Sequence, residues 1–62
     1  MKDNWIRIES LSPKDGEVVM TKIDTAGNVR NEQPLVKKGN LWFTDDMKMY
    51  VYYTPTHWKP LN

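Results

Sequence analysis

The side chains with the most evident chemical potential stand near the carboxyl end of this 62-residue chain, where Trp58 follows His57. An indole face can stack on a base, and an imidazole can hydrogen-bond a phosphate or act as a general base. Neighbouring residues of a strand point to opposite faces of a sheet, so one shallow pocket cannot easily hold both side chains. We therefore expect Trp58 in the core and keep His57, on the opposite face, as a candidate binding residue.

Near the amino end, Trp5 and Arg7 alternate with Ile6 and Ile8, as residues of a strand do. If the isoleucines are core residues, Trp5 and Arg7 form an outward aromatic–cation pair. Such a pair suits a protein interface or an anionic aromatic ligand. The alternative places Trp5 in the core beside Ile6, and the sequence leaves both alternatives open.

A third candidate group lies between Met47 and Tyr53, a segment that we predict to be a strand. Lys48, Tyr50 and Tyr52 recur at every second residue and would share one face of it. Two tyrosines and a lysine can form a platform for a partner or a base, or an amphipathic face with hydroxyls in solvent. The candidate ligand- or partner-binding residues are therefore Trp5, Arg7, Lys48, Tyr50, Tyr52 and His57.

The other charged and hydroxyl residues form no catalytic or metal-binding pattern. Asp45 and Asp46 offer too few oxygen ligands for calcium and fit a loop or a helix cap better. Lys37 and Lys38 fit a solvated turn. The serines and threonines lack the spaced histidine and acid of a triad, and there is no glycine-rich phosphate loop. We expect neither an enzyme nor a cofactor or metal site.

Length and composition limit the fold and the class of partner. A domain of 62 residues is marginally stable, and without cysteine it can rely only on aromatic packing or self-association. No apolar run approaches the ~20 residues of a membrane span. Nine basic and eight acidic residues give a net charge of +1, which argues against non-specific DNA binding but allows a small anionic ligand. We expect one soluble intracellular domain over residues 1–62, with a homo-oligomer as an open alternative.

Short strands and frequent turns predict the architecture, because no segment of ten or more residues has helical periodicity. Strand patterns cover residues 5–8, 17–25, 41–44, 47–53 and 56–59. Turn residues occupy 12–16, 26–28 and 37–40. Pro34 makes the stretch 29–33 an edge strand or an irregular segment. The pattern predicts an all-β domain, a small antiparallel meander or a partly open barrel of five to six short strands.

Both ends of the chain resemble a family of short phage and prophage proteins without an assigned activity. Members open with Trp-Ile and a Leu-Pro-x-x-Gly-x-x-Val run, and they close with Thr-His-Trp-x-Pro-Leu. The matching residues are Trp5, Ile6, Leu11, Pro13, Gly16 and Val19, and then Thr56, His57, Trp58, Pro60 and Leu61. Ser12 displaces the proline by one position, and Lys59 stands where many relatives have methionine. The resemblance leaves residues 20–55 unmatched and implies a small β-rich cytoplasmic protein expressed from a viral genome.

These observations predict a phage accessory protein that acts by binding. The resemblance favours counter-defence in the host cytoplasm, by inhibition of a bacterial immune protein or sequestration of its nucleotide signal. A second hypothesis is a small nucleic-acid-binding module, since small β-barrels present aromatic residues to single strands. The near-neutral charge counts against this hypothesis. A third is a structural or assembly role in the phage particle.

Overall fold

The structure, a computed structural model, describes residues 4–61, which form six antiparallel strands in one sheet. The strands are β1 (Ile6–Arg7), β2 (Val18–Thr25), β3 (Asn28–Lys38), β4 (Leu41–Thr44), β5 (Tyr50–Val51) and β6 (His57–Pro60). Their order in the sheet is β1-β6-β2-β3-β4-β5. Strands β2 to β5 form a meander, and β6 returns to lie between β1 and β2. The prediction of an all-β antiparallel fold is confirmed, and the sheet is open, with β1 and β5 at its edges.

One face of the sheet packs on the hydrophobic core, and we call it the core face. Its buried cluster consists of Val19, Leu35, Trp42 and Trp58. Partly buried side chains pack against this cluster from both edges of the sheet: Ile6, Ile8, Val51 and Tyr53. Because residues from β1 and from β5 reach the same cluster, the sheet curls around its core. The opposite face is the outer face.

The β2–β3 hairpin is closed by a two-residue turn. Ala26 and Gly27 both have positive φ, 54° and 84°, as a type I′ turn requires. Farther along the hairpin, Lys22 of β2 faces two residues of β3, Asn31 and Glu32, which makes a β-bulge. Asn31 takes a left-handed φ of 56° there, a conformation that asparagine tolerates well. The bulge allows the hairpin to bend where it extends beyond the neighbouring strands.

Pro34 lies within β3. The strand accommodates it because β4, in the described part of the chain, does not pair with β3 at this residue. Residues 29–33 are a strand that pairs with β2. Within residues 4–61, the ladder between β3 and β4 covers only 35–38. Pro34, which cannot donate an N–H, therefore lies just outside the β4 ladder. Of the two alternatives predicted for 29–33, the edge strand is confirmed.

The predicted strand 47–53 is largely replaced by a turn, which leaves only β5. The Thr44 hydroxyl donates to Asp46 Oδ1 at 2.6 Å. Asp46 Oδ1 also accepts the Lys48 N–H at 3.0 Å. These two hydrogen bonds hold the pKa of the Asp46 carboxyl below its usual value. Met47 has a φ of 64°, which extended strands do not allow. The prediction of a polar loop at this point is confirmed, and the longer strand is wrong.

The segment between β1 and β2 closes one end of the core. The indole N–H of Trp58 donates to the Leu11 carbonyl at 2.7 Å. Farther along, the Asp15 carboxylate accepts the Gly39 N–H at 3.1 Å and lies 3.5 Å from the Lys37 ammonium. The Gly39 hydrogen bond and the Lys37 charge hold the pKa of the Asp15 carboxyl below its usual value. Asp15 thereby ties this segment to the β3–β4 turn.

In residues 4–61, no helix is long and apolar enough to cross a membrane.

Candidate functional site

The outer face carries apolar and aromatic side chains in a line across four strands. Val18, Val36, Phe43 and Tyr50 lie directly opposite one another on β2, β3, β4 and β5, and directly opposite residues share a face. The rings of Phe43 and Tyr50 meet edge to face, with centroids 6.3 Å apart. Tyr50 and Tyr52 meet in the same way at 5.2 Å. We call these five residues the aromatic row.

Exposure of the aromatic row increases towards the edge strand β5. Val36 is 2% exposed, whereas Tyr50 is 46% and Tyr52 is 90% exposed. Beside the two tyrosines lies Leu41, also about half exposed. Together they border an open cleft of about 250 Å³. The structure therefore brings Tyr50 and Tyr52 together, as the sequence predicts, and adds Leu41 to the same surface.

A second line on the outer face is basic. Arg7, His57 and Lys22 lie directly opposite one another on β1, β6 and β2. Lys59 follows His57 by two residues on β6 and so shares its face. We call these four residues the basic row. On the far side of the aromatic row, β3 ends with a fifth outward basic residue, the exposed Lys38.

Trp5 lies against the basic row and is half-buried there. The Lys22 ammonium is 4.4 Å from the centre of its ring, and the Lys59 ammonium is 4.6 Å from it. Because both lysines project from the outer face, Trp5 is on that face, while Ile6 packs on the core. The outward alternative for Trp5 is therefore correct. The cations over its ring are two lysines that the sequence reasoning missed, although each alternates with a core residue on its strand.

Arg7 and His57 have partners next to them in the chain. The Arg7 guanidinium contacts the Glu9 carboxylate at 2.8 Å, and both side chains are mostly exposed. His57 Nδ1 lies 2.8 Å from the Thr56 hydroxyl. Trp58, the next residue, is buried in the core cluster. The prediction that His57 and Trp58 occupy opposite faces is confirmed.

The structure corrects the predicted platform of Lys48, Tyr50 and Tyr52. The two tyrosines belong to the aromatic row, but Lys48 lies in the turn between β4 and β5. The alternation from residue 47 onward favoured one continuous strand. It did not account for Asp46, whose carboxylate accepts local hydrogen bonds that compete with strand pairing.

Basic and acidic side chains, which are nearly equal in number in the sequence, lie in different parts of the fold. Between the bulge and the β3–β4 turn, the outer face of the described strands carries four Lys and Arg residues, Arg7, Lys22, Lys38 and Lys59, and no Asp or Glu. The described carboxylates lie in turns, in the extended part of the β2–β3 hairpin and between β1 and β2: Glu9, Asp15, Glu17, Asp24, Glu32, Asp45 and Asp46. Two of them reach the margin of the basic row, Glu9 at Arg7 and Asp24 at Lys22. The net charge of +1 thus conceals an outer face that is basic.

Comparison of the chain with protein-family models, with curated proteins and with solved structures found no match. The geometry of the outer face is therefore what bears on function.

Proposed function

We propose that the protein acts by binding a partner on the outer face of its sheet and does not catalyse a reaction. The observation that supports this is the end of the aromatic row, where Tyr52 is 90% exposed yet packs edge to face on Tyr50. A ring so exposed buries little surface in its own fold. Tyrosine has few rotatable bonds and supplies a large share of the binding energy at interfaces. The position of Tyr52 directly after the edge strand β5 is well suited to a contact outside the chain.

The surroundings of the aromatic row favour a partner that lies along the surface. The cleft beside Tyr50 and Tyr52 is open to solvent, and so is a second cleft of about 300 Å³ that includes Arg7. Pockets that enclose a small substrate bury most of its surface. These two open clefts adjoin, because Thr54 lines both, and together they suit an extended partner better.

The setting that we propose for this binding is counter-defence by a bacteriophage accessory protein. The support is the resemblance of both chain ends to short phage and prophage proteins. Under this proposal the protein acts in the cytoplasm of the bacterial host. It binds an immune protein or sequesters the nucleotide signal that activates one, and aromatic and basic side chains suit either ligand.

Native mass spectrometry of the protein, purified gently from bacterial cells, tests the proposal. The wild type should carry either a host polypeptide or the added mass of a small ligand. Alanine at Arg7 and Tyr52 together should remove that partner while the melting temperature changes by no more than a few degrees, because both side chains are exposed. As a control, Val29→Ala on the exposed hairpin should retain the partner. A partner that survives in the double variant, or a wild-type protein without any partner, would contradict the proposal.

A further inference from the structure

We propose that the partner of the outer face is a single-stranded nucleic acid, with its bases against the aromatic row and its phosphates at the basic side chains on either side. This inference rests on the proposed function in taking the outer face as the binding surface, and it assigns that face a single-stranded nucleic acid in place of an immune protein or a nucleotide signal. Single-strand-binding proteins combine a positively charged surface that follows the backbone with aromatic rings on which bases stack. The outer face has both features in one sheet.

The aromatic row supplies the stacking surface. Tyr52 contacts Tyr50 edge to face, with an angle of 71° between the rings, and is 90% exposed. Most of the Tyr52 ring is therefore open to a base. Tyr50 is held in turn by Phe43 at an angle of 67°. Phe43 and Tyr50 thus give the Tyr52 ring an edge-to-face neighbour beside which a base can stack.

We expect two exposed cations, Arg7 and Lys38, to contact the phosphates. Lys22 is less available, because its side chain is 13% exposed and its ammonium lies 3.4 Å from the Asp24 carboxylate. The Arg7–Glu9 pair is different, since its side chains are 63% and 73% exposed. Exposed ion pairs contribute little to stability, so a phosphate can replace Glu9 as the partner of Arg7.

The dimensions of the face favour a ligand with repeating units. Arg7 lies on β1 at one edge of the sheet and Tyr52 follows β5 at the other, with four strands between these two. Five spacings of about 4.8 Å make the path along the curled outer face about 24 Å long. A single nucleotide would reach one end of it, and an acidic peptide would leave the exposed rings without a stacking partner. Domains of this size hold about four or more nucleotides of a single strand.

Fluorescence anisotropy with labelled oligothymidylates of increasing length, in buffer of low ionic strength, tests the inference. Affinity should rise with length up to the site size of a small β domain, about 4–16 nucleotides, and then level off. Two phosphate contacts to a single strand predict a slope of about −1.4 for the logarithm of the association constant against the logarithm of salt concentration. Thymidine monophosphate and polyglutamate are the competitors. Either one, if it displaces the oligonucleotide as effectively as unlabelled oligothymidylate does, would overturn the inference.

Matched variants locate the binding face. Lys38→Gln should weaken binding and make the salt slope shallower by about 0.7, whereas Lys14→Gln, an exposed lysine outside the strands, should change neither. Tyr52→Ala should weaken binding by about fivefold to hundredfold without changing the slope, and Tyr52→Phe should retain it, because the phenyl ring still stacks. Melting temperatures confirm that each variant is folded.

The outcomes separate this inference from the proposed function. If the wild type binds no oligothymidylate of any length at low salt, the inference is wrong. The proposed function still stands in that case, provided that the Arg7 and Tyr52 double variant loses a different partner in native mass spectrometry. If the oligonucleotide binds but Lys38→Gln and Tyr52→Ala bind it equally well, the site is elsewhere and the inference is also overturned.

Discussion

Ile6 of β1 lies directly opposite Trp58 of β6, so the two ends of the chain meet on the core face of the sheet. The Trp58 indole N–H extends this junction to the Leu11 carbonyl, at 2.7 Å. Two segments that are far apart in the sequence therefore form one structural unit. Substitutions in this unit test the stability of the fold separately from binding by the outer face.

Trp58→Phe tests the contribution of the indole hydrogen bond. The phenyl ring leaves the Leu11 carbonyl without its donor and also removes part of the core packing, so the free energy of unfolding should fall by at least about 1–3 kcal/mol. Urea denaturation measures it. Leu61→Ala, an exposed residue in the same end of the chain, should stay within about 0.5 kcal/mol of the wild type. An unchanged Trp58→Phe protein would mean that the hydrogen bond does not stabilise the fold.

Thr21 is fully buried, and its hydroxyl donates to the Gln33 carbonyl at 2.8 Å. Thr21→Val keeps the volume and removes the donor, which should lower the free energy of unfolding by about 0.5–1.5 kcal/mol. Thr21→Ser keeps the donor and removes one methyl group, at a cost of about 0.8 kcal/mol before any cavity effect. Chemical denaturation of the pair separates the two contributions. A valine variant more stable than the wild type would show that the buried hydroxyl is a net penalty.

Asp15 predicts a dependence of stability on pH. Its pKa is lowered in the folded protein from the model-peptide value of 3.8, chiefly by the Gly39 hydrogen bond. A lowered folded pKa means that the carboxylate stabilises the fold fully at pH values above 3.8, and that this stabilisation is lost as the pH falls through the folded pKa. Asp15→Asn should therefore melt below the wild type at pH 7, and the difference should shrink below pH 4.

Thermal melting between pH 7 and pH 2.5 provides the comparison, with Asp45→Asn in the β4–β5 turn as the charge-matched control. A difference between Asp15→Asn and the wild type that is constant across this range would show that the carboxylate charge is not the source of the stabilisation.

Ala26 occupies a left-handed position, with φ of 54°, in the turn of the β2–β3 hairpin. Asparagine followed by glycine is the preferred pair for a type I′ turn, and Gly27 already follows. Ala26→Asn should therefore stabilise the protein by about 0.5–1 kcal/mol, because left-handed backbone is costly for alanine. Ala26→Val should destabilise it, since a β-branched residue resists positive φ. Denaturation midpoints in urea that rank the variants in the opposite order would contradict the type I′ assignment.

The parts of the fold that are encoded locally could be predicted from the sequence. β2 and β4 were predicted almost to the residue, because β-branched and aromatic residues alternate there between turn residues. The turn around Lys48 could not be predicted from the sequence pattern, because a hydrogen bond from Thr44 to the Asp46 side chain decides its conformation. Alternation of residue types carries no information about such a contact.

By itself, the sequence determined the all-β class, most of the turns and the opposite faces of His57 and Trp58, since these follow from patterns within a few residues. Only the tertiary structure decided that β6 lies between β1 and β2. That strand order places Lys22 and Lys59 over Trp5 and brings Arg7, His57 and Lys22 opposite one another on the outer face. The physical reason is that hydrogen-bonded ladders join strands far apart in the chain, and their register depends on packing of the whole core. The basic character of the outer face therefore emerges only when the chain is folded, although its net charge is close to zero.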